Sequence, residues 1–318
     1  MTNIHPQISV LIPVYNREML LERCVNSALN QSFRDIEVIV VDNASSDGSW
    51  SLCKKLSTTD SRVKIYRNSE NLGPVKNWYE CLKQASGEYV KILYSDDWME
   101  EDYLENSVNV FTDDVGMVAS SVSVHMKNKQ VRYINETNIY DAKEVIHELL
   151  SFSENWCVSP SAWIFRRKDF AGITSVCAEN KFGIDYLQHG MGPDTLILLN
   201  TAMAYPKIGY LNRPLVNFDC PADSITGKTG HAQYLFNRIV SNSYFVEKNC
   251  TFLGSIFCAQ FNLMALVVFI RCRGVQGPFF YQKLFSKNYK KFVFLPSRTL
   301  LKQIVRGLSK NSGKLGDQ

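Results

Sequence analysis

The sequence predicts an α/β fold, a mostly parallel, Rossmann-like, doubly wound sheet flanked by helices. Two observations lead there. Four short runs rich in β-branched residues recur between residues 8 and 94, and amphipathic helical patterns lie between them. The runs are apolar at almost every position rather than alternately, as expected of strands covered on both faces.

Taken in order, Ile8 to Pro13 (ISVLIP) reads as the first strand, and Leu20, Leu21, Cys24, Val25, Ala28 and Leu29 form the apolar stripe of the helix after it. Ile36 to Val41 (IEVIVV) reads as the second strand. A shorter helix is expected after Asp47, with Trp50, Cys53 and Leu56 inward. Val63 to Tyr66 makes the third strand. Val75, Trp78, Tyr79 and Leu82 recur at helical spacing behind it, and Tyr89 to Tyr94 makes the fourth strand. Beyond Glu100 the order becomes mixed: a helix from Glu101 to Phe111, strands at Met117 to Val124 and Val131 to Ile134, and a helix from Asp141 to Leu150. From about Gln233 the pattern turns helical, aromatic and then basic. We therefore expect a first domain over 1–229, in two halves at 1–115 and 116–229, and a helical C-terminal region over 230–318.

A chain of 318 residues with 45% hydrophobic and 21% charged content can bury a full core, which excludes a disordered chain. The first seven residues lack the features of a secretory leader, and the nine cysteines are odd in number with no C-x-x-C pair. Both point to a cytoplasmic protein with cysteines packed as small apolar side chains. The net charge of +4 is unevenly spread: residues from Arg271 onward carry about +10 and residues 1–270 about −6.

Polar residues follow every predicted strand: Tyr15-Asn16-Arg17, then Asp42-Asn43-Ala44-Ser45-Ser46-Asp47-Gly48, then Asn71-Leu72-Gly73, then Ser95-Asp96-Asp97. In a doubly wound sheet these loops share the carboxyl edge, where ligands bind. Neither G-x-G-x-x-G nor G-x-x-x-x-G-K-[ST] occurs, which argues against a dinucleotide fold and a P-loop. The histidines at 5, 125, 147, 189 and 231 are scattered and G-x-S-x-G is absent, so hydrolase chemistry on a serine nucleophile is not indicated. Two adjacent carboxylates at a strand end suit a hard divalent cation, Mn²⁺ or Mg²⁺, and equally suit the first turn of a following helix.

The ordered segments ISVLIPVYNR, IEVIVVDNASSDGS, ENLGPVKNW and GEYVKILYSDDW resemble the successive signatures of family 2 glycosyltransferases, of the type that builds bacterial O-antigen or capsule polysaccharide. The likeness runs through residues 8–115 and more loosely to 226. It implies a GT-A fold, an inverting mechanism and a nucleotide-sugar donor, with UDP favoured. By the same resemblance, Pro13, Tyr15, Asn16 and Arg17 line the nucleotide pocket, Asp42 binds the base, and Asn71 and Gly73 lie near ribose or base. Ser95 and Asp96 belong to the metal motif, Asp96 touching the metal and Asp97 supporting it or the acceptor. Tyr94 stands where the motif has its first acid. Asp194, in Gly192-Pro193-Asp194 at the start of an apolar helix, matches the catalytic base, with Asp185 as the fallback. Ser161, Arg166 and Arg167 match the segment beneath the donor sugar and acceptor. Near Asp223 to Thr226 relatives carry an Arg and a His, where this chain has Asp219 and Pro221, so diphosphate contacts there are not transferred.

Thr251 to Ile270 is apolar but interrupted by Ser255, Gln260 and Asn262, which favours a buried or interfacial helix over a membrane span. The aromatic and basic residues behind it suit an anionic membrane surface. No nucleic-acid-binding module is evident. With the resemblance, this points to a lipid-linked saccharide acceptor and a peripheral position on the cytoplasmic face of the inner membrane. Rival readings are a catalytically weak, membrane-associated binding subunit and a nucleotidyltransferase.

Overall fold

The computed structural model describes residues 6–126, 129–133, 136–151, 155–172, 186, 192–219, 231–254 and 261. The chain divides into two compact units, Met1–Glu179 with Ile184–Gly230 and Asn180–Gly183 with His231–Gln318.

The first unit begins as expected. Strands β1 (Ile8–Val14), β2 (Ile36–Asp42), β3 (Val63–Arg67) and β4 (Tyr89–Ile92) alternate with helices α1 (Leu21–Leu29), α2 (Ser49–Thr59) and α3 (Pro74–Gln84). All three neighbouring pairs among these strands are parallel. β1, β2 and β4 are buried almost throughout, so their residues are apolar on both faces. Helix α1 turns its expected stripe inward, Leu21, Cys24, Val25, Ala28 and Leu29, whereas on α3 Val75 and Trp78 are joined by Cys81 and the expected Tyr79 and Leu82 are only half-buried. The helix after Asp47 is not short: α2 has 11 residues, as many as α3.

The remaining elements are β5 (Trp98–Met99), α4 (Tyr103–Val108), β6 (Val115–Met126), β7 (Lys129–Tyr133), β8 (Asn138–Asp141), α5 (Ala142–Leu150), β9 (Trp163–Arg166), α6 (Pro193–Ala204) and β10 (Lys207–Asp219). The helix expected over Glu101 to Phe111 is thus confined to Tyr103–Val108. Asp141 caps α5 by accepting a hydrogen bond from the Lys143 amide at 2.9 Å. The ten-stranded sheet runs β3-β2-β1-β4-β9-β6-β10-β5, with β7 beside β6 and β8 beside β10. β9 runs antiparallel to both β4 and β6, while β10 lies parallel to β6. The chain lays down β1, β2 and β3 outward and then returns to place β4 on the other side of β1. That reversal opens a crevice at the carboxyl ends of β1 and β4.

In the second unit, helices α7 (His231–Lys248) and α8 (Cys250–Leu253) are described. Most of 255–318, including the basic stretch and nearly all of the apolar segment from 255 to 270, lies outside the described residues. Among the described residues no helix is long and apolar enough to cross a membrane.

Candidate active site

At the crevice the backbone departs from ordinary geometry twice. Asn16 and Ala44 adopt φ values of 52° and 58°, a region that side-chain-bearing residues rarely enter, and both lie in loops leaving β1 and β2. The two loops hold one another in place. The Asn16 amide donates to Ser45 Oγ at 2.9 Å, the Ser46 amide donates to Asn16 Oδ1 at 2.9 Å, and the Arg17 amide donates to Ser49 Oγ at 2.8 Å. Tyr15 remains exposed beside them and Pro13 is half-buried in β1.

Asp42 ends β2 and is fully buried. Its Oδ2 accepts from the Ser45 amide at 3.2 Å and pairs with Arg67 Nε at 3.0 Å. Its Oδ1 is buried with no hydrogen-bond partner. Beside it, a chain of amides fixes the third loop. Asn43 Nδ2 donates to Asn71 Oδ1 at 2.8 Å, and Asn43 Oδ1 accepts from the Leu72 amide at 3.0 Å and from Asn68 Nδ2 at 2.9 Å. Gly73, at φ 82°, turns the chain into Pro74 at the start of α3.

The acids after β4 point different ways. Asp96 is half-buried and its Oδ2 lies 3.6 Å from Arg17 Nε, across the mouth of the crevice. Arg23 donates to the Asp96 carbonyl at 2.8 Å and to Asp219 Oδ2 at 2.8 Å, with its guanidinium 3.9 Å from the centre of the Trp98 ring. Ser95, just before both acids, is buried. Asp97 is buried at 4% exposure, and burial first and the charge of Asp96 second push its carboxyl well above the usual range. Ser161, the Asp219 backbone and Lys91 offset that rise in part. The expectation of a two-carboxylate metal site is corrected accordingly: Asp97 faces the interior, and only Asp96 opens on the crevice.

Among the described residues, no three His, Cys, Asp or Glu side chains converge on one point. A divalent cation here would rest on Asp96 and draw its remaining ligands from phosphate oxygens and water, a donor set that Mg²⁺ and Mn²⁺ accept.

Gly192, with a φ of 110°, leads into Pro193 and α6, and Asp194 sits in the first turn. Its Oδ1 is buried without a partner, and burial raises its carboxyl to about 7. Tyr94 stacks on Trp78 at 5.7 Å; burial and then the negative charge of Asp194, followed by Asp97 and Asp96, raise its phenol well above 10. Asp194 thus belongs to the same acidic neighbourhood as the loop after β4. Ser161 lies in a buried 3-10 turn, Pro160–Ala162, with its hydroxyl toward the Asp97 carboxyl.

Arg166 and Arg167 are not at this site. Arg166 pairs in register with Tyr89 at the start of β4, and Arg167 donates to the Gly87 carbonyl at 2.6 Å. Both therefore lie at the amino edge of the parallel strands, because β9 runs antiparallel and its C-terminal end points away from the crevice. Asp185 and Asp223 to Thr226 lie outside the described residues. Four contributors were missed from sequence: Asn43, Arg67, Arg23 and Lys91. Only Lys91 carried a visible signal, a charge set inside an otherwise apolar strand.

Residues 9–173, more than half of the chain, match the family described as glycosyl transferase family 2. The chain belongs to that family. A Campylobacter jejuni relative named GalNAc(5)-diNAcBac-PP-undecaprenol beta-1,3-glucosyltransferase is 43% identical over 93 residues, 29% of this chain and 30% of that protein. The family 2 chain spans less than half the length of the curated relatives it first matches. Among solved structures, S. aureus TarS 1–349 in complex with UDP-GlcNAc superposes with a TM-score of 0.58 at 18% identity, over 81% of this chain and 72% of that one. The mannosyltransferase PcManGT from Pyrobaculum calidifontis, in complex with GDP-Man and Mn²⁺, superposes at 0.51 and 17% identity over 98% and 88%. At those identities the structures establish a shared GT-A-type fold for this family 2 member.

Proposed function

We propose that this protein is an inverting glycosyltransferase that moves a sugar from a UDP-sugar to a lipid-linked saccharide in the synthesis of a surface polysaccharide. The observation that carries the reading is a pair of buried carboxylate oxygens without partners in the elements bordering one sheet edge: Asp42 Oδ1 and Asp194 Oδ1. A buried polar atom left unsatisfied costs about 1–3 kcal/mol, so the two together fit atoms that a ligand answers.

In this reading Asp42 Oδ1 accepts the imide N–H of the base, held in position by Arg67 and the Ser45 amide on its other oxygen. Tyr15, Asn16, Arg17, Asn71 and Gly73 border the nucleoside, and Pro13 and Ser95 the floor beneath it. Asp96 and the diphosphate oxygens would hold Mn²⁺ or Mg²⁺, which when bound offsets the charge of the leaving diphosphate. Asp194 takes the proton of the acceptor hydroxyl as that oxygen attacks the anomeric carbon from the face opposite the diphosphate. The new glycosidic bond forms as the bond to the diphosphate breaks, and inversion follows. A carboxyl raised to about 7 is well matched to a base working near neutrality. Ser161 borders the acceptor side, with Asp97 buried behind it.

The name of the Campylobacter jejuni relative carries a PP-undecaprenol acceptor and supports a lipid-linked one here. The net charge of about +10 from Arg271 onward supports a region, 230–318, that rests on an anionic membrane at its cytoplasmic face while 1–229 performs the transfer. The test is titration calorimetry with UDP, GDP and dTDP, with and without Mn²⁺, followed by turnover across the matching sugar nucleotides. UDP binding that strengthens with Mn²⁺ is expected. Absence of binding to any nucleotide refutes the reading; binding without turnover on any donor supports instead a binding subunit, the outcome that Tyr94 in place of an acid would favour.

A further inference from the structure

Lys91 has no part in the steps above, yet it is the one lysine among the described residues that is fully buried. It lies in β4 between Val90 and Ile92, also buried, where an aliphatic side chain would fill the same space without a charge to desolvate. Its ammonium donates to the Tyr103 hydroxyl at 3.2 Å and to the Ser161 carbonyl, and sits 4.3 Å from the centre of the Tyr103 ring. Burial lowers its ammonium to about 7, and Asp97 is the charge that most opposes that fall. One side chain therefore links three separate pieces of chain: β4, the start of α4, and the turn that carries Ser161. That turn is closed by two backbone bonds, from the Ala162 amide to the Ser159 carbonyl at 2.9 Å and from the Trp163 amide to the Pro160 carbonyl, and the Ser161 carbonyl between them is answered by Lys91.

We propose that Lys91 is a positioning residue: its ammonium holds the Pro160–Ala162 turn at the height where the Ser161 hydroxyl faces the transfer site, and balances the Asp97 carboxylate so that the acid loop can lie against that turn. The substrate-facing part rests on the transferase reading; the holding of the turn does not. A buried ammonium suits this task because a carbonyl and a carboxylate from different elements converge on one small group with three donors.

The test compares the full chain with Lys91→Met. In amide hydrogen exchange without any ligand, the segment Ser159 to Trp163 should exchange about tenfold faster, with Tyr15 to Arg17 and Asp42 to Ser46 unchanged. Unchanged protection of the turn, or equal loosening of all three segments, overturns the proposal. In turnover, kcat should fall about tenfold or more while UDP affinity stays within about twofold, a split that general loosening would not produce. Ser161→Ala and Lys91→Met should be non-additive in kcat, since both act through one hydroxyl; losses that multiply in the double variant overturn it. If Lys91→Met does not fold, Lys91→Met with Asp97→Asn removes both charges and is read the same way. A chain that binds no nucleotide defeats the transferase reading, and the exchange result then decides this one alone.

Discussion

The two edges of the sheet handle buried charge in opposite ways. At the amino edge, Glu37 is buried at 2% exposure and fully answered: Ser9 Oγ donates at 2.6 Å, Lys64 Nζ at 2.6 Å, the Ser86 amide at 2.7 Å and Ser86 Oγ at 2.8 Å. These bonds outweigh burial and lower its carboxyl to about 2. At the carboxyl edge, Asp42 and Asp194 each keep a buried oxygen unanswered, and Asp97 and Asp194 are pushed up rather than down. The first edge uses its charge to hold the strands together. The second keeps acids in a costly state, which is how sites that must receive a proton or a ligand are distinguished from those that only support the fold.

The largest expected effect separates the two edges at once. Asp194→Asn should lower kcat by about 10²- to 10⁴-fold, the usual worth of a positioned base. It should not destabilise the protein. A carboxyl whose folded value is raised favours the protonated fold, so its contribution is present below the unfolded value near 3.8 and is lost as pH rises through about 7. Above pH 7 the variant should melt at or above the wild-type temperature. In the wild type, kcat/KM should rise with pH and level off above about 7, and the variant should lack that limb; a wild-type profile flat from pH 5 to 8 would remove Asp194 as the base.

Glu37→Gln should do the reverse, costing stability and sparing catalysis. The drop from 4.5 to about 2 corresponds to as much as about 3 kcal/mol of stability. Its sign is also opposite: this contribution is complete above the unfolded value near 4.5 and is lost as pH falls through about 2. Thermal melts should show a deficit for the variant that is largest above pH 5 and narrows toward pH 2, with kcat unchanged at temperatures where the variant is folded. A loss of kcat in folded Glu37→Gln would break the contrast between the edges.

How much of this was legible follows from strand direction and burial. β1 to β4 could be read because parallel strands covered on both faces are nearly continuous apolar runs, and the ends of those runs located Tyr15 to Arg17, Asp42, Asn71 and Ser95 to Asp97 correctly on one edge. β10 could not be read, since Asn212, Arg213 and Pro214 interrupt its apolar pattern, where its register with β6 shifts. Arg166 and Arg167 were misplaced for a related reason. A residue pair at a strand's end faces the ligand edge only if the strand is parallel, and nothing in WIFRR states the direction of β9. That Asp97 is buried while Asp96 opens on the crevice could not be read, because adjacent residues leave a tight loop on different sides. Asn43, Arg67 and Arg23 act through partners 22 to 196 residues away, which no local pattern encodes.

Asp42→Asn sharpens the same comparison at smaller scale. The substitution keeps the volume but removes the charge opposite Arg67 and puts an NH₂ on one of the two side-chain positions. UDP affinity should weaken by about 10- to 100-fold, or about 1.4–3 kcal/mol, by calorimetry. The melting temperature should move by less than in Glu37→Gln, because one Asp42 oxygen contributes nothing to the free fold. Undiminished UDP affinity would detach Asp42 from the base.

Arg167→Ala is expected to change least, and that is its use. Its guanidinium spans a loop at the amino edge, from the Gly87 carbonyl into a shallow recess bordered by Asp35 and Glu88. It is exposed, and its bonds are to groups that water can also satisfy, so stability should fall by no more than about 1 kcal/mol. Neither UDP affinity nor kcat should change beyond about twofold, because the diphosphate would bind at the other end of strands whose length the side chain cannot span. The family resemblance alone puts Arg166 and Arg167 in the segment beneath the donor sugar, where loss of a charge that offsets the diphosphate predicts a kinetic loss. The direction of β9 requires none, so one pair of rate measurements decides between strand topology and motif position as the guide to this site.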